Sequence, residues 1–442
     1  MRHLLKGLGV AAVLICFAGC NDIFSVENPQ AFTDEAANNP NLMPSLAAGA
    51  EGGFMVAIDN LAIFSGLLSD EFQHVGAWVD WQDVSTGKIR PNWPQNNSNT
   101  YNDAENNMLL ARGTAVAASK RIEKVLGDTA HTSPLFVTSE LARAWTDLYL
   151  AMAICQLPPT AGAAMVSDSV IFKMAADTFA AMLPVIQAAH YTRTSDRTDR
   201  LNQANAGAAR ANLYAGNYQA ALQYAQAVPA GFKYDAVYSS NSGYQNNQMA
   251  NQGNANYNRS YSIRGIWFQY IDTIAGMMRD PYSGQLDQRL LLGHDNNNAK
   301  GLDKGTDGVT KFYSINKYPS YASPISITKS EEMNLIVAEV RWRQGDFAGA
   351  LTAMNINRAA VQLNPFTLPT SGDVSTQVRD MLLQERFATM FGENARLNDV
   401  YRFGLVLQRL GPNRATKLPL SRTEQLANPK IGEGKETCPA VS

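Results

Sequence analysis

Six aromatic residues stand where ligand chemistry is most plausible, in segments without helical periodicity. Trp78, Trp81 and Trp93 lie in AWVDWQDVSTGKIRPNW; Tyr257, Tyr261 and Trp267 lie in or just after NSGYQNNQMANQGNANYNRSYS. A flat ring covers the apolar face of a sugar or of a peptide side chain. Covering about 100 Å² at about 25 cal/mol per Å² contributes roughly 2.5 kcal/mol before ordering costs. The second segment holds seven Asn and three Gln with Arg259 as its only charge. Amides offer both donors and acceptors, which suits hydroxyl-rich or amide-rich ligands. The same rings read equally as fillers of small cores beneath long loops. Trp145 and Trp342 fall on helical patterns and read as core.

Catalytic patterns are weak by comparison. His3, His74, His131, His190 and His294 are scattered, and no H-E-x-x-H pair, paired cysteine ligands or phosphate loop occurs. Asp295 to Gly308 is oxygen-rich but lacks the spacing of a calcium loop, so neither a metal site nor a cofactor is expected. Asp70, Glu71, Asp80 and Asp83 are candidate glycosidase carboxylates, although hydrolysis needs a defined separation in space that spacing in sequence does not give. With 37 basic and 39 acidic side chains among 442 residues, the net charge is -2. That balance leaves no cationic excess for nucleic acid.

The elements that must hold these rings are helices. Met108, Ala111, Ala115, Ala118, Ile122 and Val125 recur at steps of three and four within Tyr101 to Leu126, and Leu141, Trp145, Leu148, Met152 and Cys155 do so within Glu140 to Cys155. Leu42 to Leu68, Val170 to Ala189, Ala206 to Ala227, Ser330 to Met354 and Ser375 to Phe391 also read as helical. Ala209 to Leu222 (ARANLYAGNYQAAL) matches Ala338 to Leu351 (AEVRWRQGDFAGAL). Both place Gly, then Asn or Asp, then an aromatic at one turn, the chemistry of a tetratricopeptide-like helical hairpin. Long interruptions are expected at 70 to 100, 229 to 330 and 355 to 375. A stretch as long as the second is functional or has structure of its own.

At the N-terminus, Arg2 and Lys6 precede the apolar run Leu8 to Ala18, a signal-peptide pattern too short to span a bilayer. Phe17-Ala18-Gly19-Cys20 resembles a bacterial lipobox. The resemblance implies removal of residues 1–19, lipidation of Cys20, a tether over 20–40 and a body over 41–442. No later segment approaches 18 uninterrupted apolar residues, so a tethered soluble body is expected. Cys16 leaves with the signal. Cys155 and Cys438 read as a buried free thiol and a loose tail thiol, with pairing in an oxidising compartment as the alternative.

The C-terminal third carries Ala338-Glu339, Gly345-Asp346, Glu385-Arg386 and then FGENARLNDVYRFG over 391–404. Leu418-Pro419-Leu420, Glu424 and Asn428-Pro429 follow. This order, clearest over residues 310–442, resembles the SusD/RagB family of outer-membrane nutrient-binding lipoproteins. Asn394 stands for a usual glycine, Leu397 for a usual aromatic, and the usual C-terminal ending is absent. The resemblance implies a mostly α fold with tetratricopeptide-like hairpins, long irregular loops and little strand. It implies a non-enzymatic, surface-exposed protein lipid-anchored at the cell outer membrane that hands an oligosaccharide or peptide to a SusC-like TonB-dependent transporter. A surface glycosidase or peptidase and a non-catalytic envelope scaffold are the competing readings. Asp399 lies three residues from both Arg396 and Arg402, a spacing that favours an ion-pair network over a ligand clamp.

Overall fold

The computed structural model describes residues 36–90, 92–93, 99–293, 303–432 and 440–441. Most of its long helices fall where apolar periodicity places them; the exceptions are a short helix over Val79–Thr86, inside the stretch expected as an interruption, and the first half of Thr194–Tyr214. The helices are α1 (Met43–Leu68), α2 (Val79–Thr86), α3 (Asn99–Leu126), α4 (Pro134–Ala153), α5 (Asp168–Ala188), α6 (Thr194–Tyr214) and α7 (Tyr218–Gln226). After the short α8 (Gln248–Gly253) come α9 (Ser330–Arg343), α10 (Phe347–Ala360) and α11 (Val374–Thr389). The last are α12 (Arg396–Arg402), α13 (Val406–Leu410) and α14 (Arg422–Ala427). Helix starts carry their caps: Ser133 accepts from Leu135 N with Pro134 in the first turn, Asp346 accepts from Gly349 N, and Asp373 accepts from Thr376 N.

The two matching segments form matching hairpins. Asn217 N donates to Asn212 O at 2.8 Å, and Asp346 N donates to Arg341 O at 2.9 Å. Gly216 and Gly345 supply the left-handed residue at φ 83° and 80°. The hairpins also pack on one another. Ala209, Leu213 and Ala221 from α6 and α7 share an apolar cluster with Met333, Ile336 and Val340 of α9. The small residues let the helices approach, so a likeness read along the chain becomes a side-by-side repeat in space.

Strands are short. They are β1 (Phe72–His74), β2 (Gln156–Leu157), β3 (Val166–Ser167), β4 (Lys233–Ala236), β5 (Tyr261–Ile263) and β6 (Ile271–Asp272). Then follow β7 (Met277–Arg279), β8 (Leu286–Leu291), β9 (Ile325–Lys329), β10 (Arg414–Ala415) and β11 (Ala440–Val441). Antiparallel pairing of β4 with β9 brackets the longest interruption. Within that bracket β6, β7 and β8 form a small antiparallel sheet, and β5 leaves to pair with β1. The stretch over 229–330 thus returns to its own start and has structure of its own.

One apolar cluster runs from Met43 to Ile431. At its centre Trp145 meets Phe179 edge-on at 4.9 Å, and Phe54 meets Tyr149 at 5.4 Å. By length and composition, the segment containing α1 and helix α5 would suffice to cross a membrane, but α1 is a core helix here and 67% of its most apolar window is buried. Cys155 is disulfide-bonded, which corrects the free-thiol reading. The signal segment 1–19, Cys20, most of the 20–40 tether, His294 and Cys438 lie outside the described residues.

Buried charge ties the C-terminal helices together. Arg386 Nε lies 2.7 Å from Asp399 and Arg402 lies 3.0 Å from the same carboxylate. Arg402 and Arg343 both hold Glu339. Arg396 does not reach Asp399 as its spacing allows; it turns away to grip Asp70 through two hydrogen bonds at 2.5 and 2.7 Å. The network joins α9, α11 and α12 to the end of α1, and it leaves these groups committed to packing.

Candidate functional site: an aromatic platform at one end of a strand pair

The two aromatic loops meet through β1 and β5. In the antiparallel register Phe72 pairs with Ile263 and His74 with Tyr261. Val75 N extends the ladder by donating to Ser260 O at 2.9 Å. Beyond that point the chain runs forward to Trp78 on one strand and backward to Tyr257 on the other. Both rings therefore emerge from the same end of the ladder. The 303–313 loop closes against it: Asp307 N donates to Val75 O at 3.1 Å, and Thr306 N donates to Arg259 O at 3.4 Å. A side chain at Gly305 would start 2.0 Å from Val75 O, so this approach requires glycine.

Of the six rings read from the sequence, two reach the surface. Trp78 is 41% exposed and leans edge-on against Trp81 at 5.0 Å. Tyr257 is half-buried and stacks on Tyr321 at 4.2 Å with 23° between the planes. The other four are corrected to core. Trp81 packs under Phe64 and His74. The Trp93 Nε1–H donates to Asp83 at 2.9 Å. Tyr261, fully buried, packs on Phe72 at 4.7 Å and donates its hydroxyl to Met249 O. Trp267 stacks on Phe387 at 4.4 Å and donates to Asp70 O. Trp81 lies on the inner face of α2, Tyr261 faces inward from β5, and the loops carrying Trp93 and Trp267 fold back onto the core.

The amide-rich segment divides its labour. Asn247 donates to Ser323 O at 2.7 Å, while its backbone N–H donates to Tyr321 O. Asn251 donates to Gln248 and accepts from Asn258 and from the Tyr321 hydroxyl. These amides hold the turn that presents the Tyr257–Tyr321 stack. The exposed amide side chains are Asn241, Gln245, Asn256 and Asn258, with Tyr244 exposed among the first of them. Tyr321 escaped the sequence reading because it lies 64 residues from Tyr257 in a segment without periodicity; its ring in KYPSYASP, between turn residues, was the available signal.

Beneath the platform, Asp59 of α1 accepts from Gln248 N at 2.7 Å, at the start of α8. Burial pushes its carboxyl up to about 7 against the hydrogen bonds from Gln248 and Asn60. Nearby Glu71 accepts from Gly392 N at 2.8 Å, and burial pushes it up to about 8. The carboxylates considered for hydrolysis are occupied structurally. Asp70 holds Arg396, Glu71 holds the 392 turn, Asp80 is buried, and Asp83 accepts from Trp93. Among the described residues no group of three or more His, Cys, Asp or Glu side chains is placed to hold a metal ion.

No protein-family model matches the sequence, and no curated protein matches it. Solved structures do match. A SusD superfamily protein from Bacteroides vulgatus superimposes with TM-score 0.67 at 13% identity, covering 88% of this chain and 97% of the other. One from Bacteroides thetaiotaomicron gives 0.65 at 14%, covering 90% and 98%. A SusD-like carbohydrate-binding protein from Bacteroides vulgatus gives 0.56 at 11%, covering 81% and 83%. The fold is therefore SusD-like and mostly α, as the C-terminal motifs implied.

Proposed function

We propose that this protein is a surface-held binding protein that captures an oligosaccharide on the platform of Trp78, Tyr257 and Tyr321. The observation that supports the reading is that Trp78 and the stacked Tyr257 lie on the two segments that leave the same end of the β1–β5 ladder, beside exposed amides. Two ring surfaces on a fixed framework suit successive sugar faces, and amides suit the hydroxyls between them. The carbohydrate-binding description of a structural neighbour supports the ligand class. In this reading the protein binds without cleaving, is anchored to the outer membrane through Cys20, and passes its cargo to a SusC-like TonB-dependent transporter.

A glycan array followed by isothermal titration on the full chain tests the proposal. The expected result is reversible binding of one glycan class with no product release. Tyr257→Ala and Tyr321→Ala should each weaken it about tenfold. Absence of glycan binding, or affinity indifferent to all three rings, overturns the assignment. Copurification of a β-barrel transporter from native membranes tests the delivery step separately.

A further inference from the structure

An open cavity of about 640 Å³ lies between the start of α7, the end of α9 and the start of α11, within the size range of small-molecule sites. Two rings line it. Trp342, read as core from its helical pattern, is only half-buried here, and its Nε1–H donates to Ser375 O at 2.9 Å, which fixes the indole. Tyr218, also half-buried, lines it from α7. Gln219 and Gln344 line the same space; both are exposed, and their side-chain amides make no hydrogen bond among the described residues. The charged side chain in the lining is Arg343, and no carboxylate accompanies it. Its guanidinium carbon lies 4.6 Å from the Tyr218 ring, 5.4 Å from that of Trp342 and 5.2 Å from that of Phe403. Arg343 donates through Nε and Nη2 to one oxygen of Glu339, at 3.0 and 2.9 Å, while its Nη1 makes no hydrogen bond among the described residues. Glu339 does not neutralise Arg343 alone, because Arg402 holds it too, and Arg402 shares Asp399 with Arg386. Three guanidiniums thus face two carboxylates, and the unmatched charge is positive. The other carboxylates of these elements are engaged elsewhere. Asp346 caps α10 and pairs with Arg341, Asp373 caps α11 at Thr376, and Glu332 pairs with Arg210.

We propose that this cavity is a second binding site, separate from the platform, for a hexuronate unit of an acidic glycan. The apolar face of the sugar lies on Trp342 and Tyr218, its carboxylate is taken by Nη1 of Arg343, and its hydroxyls are met by the amides of Gln219 and Gln344. A neutral sugar leaves the cation unused, and a simple carboxylate leaves the rings and amides unused. No platform residue lines the cavity, so the assignment stands apart from the platform's role.

Gln219 provides the test. It is exposed in the first turn of α7, where a carboxylate favours the helix, so Gln219→Glu places a negative charge at the site without lowering the melting temperature. Isothermal titration of the full chain uses trigalacturonate, its methyl ester, which keeps the rings and loses the charge, and tricarballylate, which has carboxylates and no sugar ring. Trigalacturonate should bind, and esterification should weaken it by about tenfold or more, as loss of hydrogen bonds to a charged group does. Gln219→Lys should bind it at least about tenfold more tightly than Gln219→Glu, Arg343→Gln should weaken it, and Trp78→Ala should leave it unchanged. The proposal is overturned by a wild type that takes no trigalacturonate at millimolar concentration, by the methyl ester or tricarballylate binding equally well, by Gln219→Glu and Gln219→Lys chains of equal affinity, or by dependence on Trp78.

Discussion

Trp78 and Trp81 are three residues apart and touch, yet they have opposite duties. Trp78 presents a face to solvent, whereas Trp81 is sealed beneath it. Trp78→Ala should weaken glycan binding about tenfold, by removing roughly 1–2 kcal/mol of ring contact, and leave the melting temperature nearly unchanged. Trp81→Ala should instead lower stability by about 3–5 kcal/mol, as loss of a buried aromatic does. Comparing titration with thermal unfolding separates the two; equal effects on both measurements would remove Trp78 from the site. Asp59 adds a pH dependence. Its folded pKa, about 7, lies above the 3.8 of an ordinary Asp, so its contribution is favourable below 3.8 and is lost as pH rises through 7. Asp59→Asn keeps an acceptor for Gln248 N and removes that loss. The variant should match wild type near pH 4 and exceed it at pH 9 by up to about 4 kcal/mol. Denaturant titration at the two pH values reads the difference, and an Asn variant weaker than wild type at pH 9 would contradict it.

The helical hairpins were legible because their signals are local. A glycine after an apolar face, a capping Asp and a small-residue stripe each act within a turn or two of chain. Gly345→Ala places a Cβ at φ 80° and should destabilise the protein by about 1–2 kcal/mol with no change in ligand affinity; urea unfolding measures it. The platform was only partly legible because it is made by pairing between residues nearly 190 positions apart. The types of Trp78, Trp81, Tyr257 and Tyr261 are readable, but which of them face outward is set by the start of α2 after Trp78 and by the pairing of Tyr261 in β5 with β1. The same limit hid the Arg396–Asp70 pair, which bridges 326 residues. The ion network gives a further test at this scale. Burial would raise the Glu339 carboxyl, but Arg402, Arg386 and Arg343 outweigh it and hold it at about 2. Because that value lies below the ordinary 4.5, the stabilisation is complete above 4.5 and disappears as pH falls through 2. Glu339→Gln should therefore cost about 3–5 kcal/mol at pH 7, by removing the carboxylate that Arg343 holds and leaving Arg402 with Asp399 alone, and converge on wild type near pH 2. Acid titration of both proteins, followed by circular dichroism, would show the convergence or refute it.

At the scale of the molecule, the proposal separates holding from gripping. Trp78 and Tyr257 sit on segments that flank a strand pair packed into the apolar cluster that runs from Met43 to Ile431, so in the proposal the platform is built apart from the N-terminal segment. In the proposal, anchoring depends on that segment alone. By covalent geometry alone, the 16 residues 20–35 reach no further than about 50 Å at 3.3 Å per residue. Two acyl chains make such attachment stable where one alone is marginal, since each buried methylene contributes about 0.8 kcal/mol. Cys20→Ser should therefore move the protein from the outer-membrane fraction to the soluble envelope fraction while leaving its glycan affinity unchanged. Uptake of a limiting glycan should fall even so, because a tethered binder meets a membrane transporter at an effective concentration that a free one does not reach. Fractionation, titration and growth on that glycan read the three consequences separately. Retention of the Cys20→Ser chain in the membrane would show that something other than the lipobox holds it there, and lost affinity would show that the anchor and the platform are not independent.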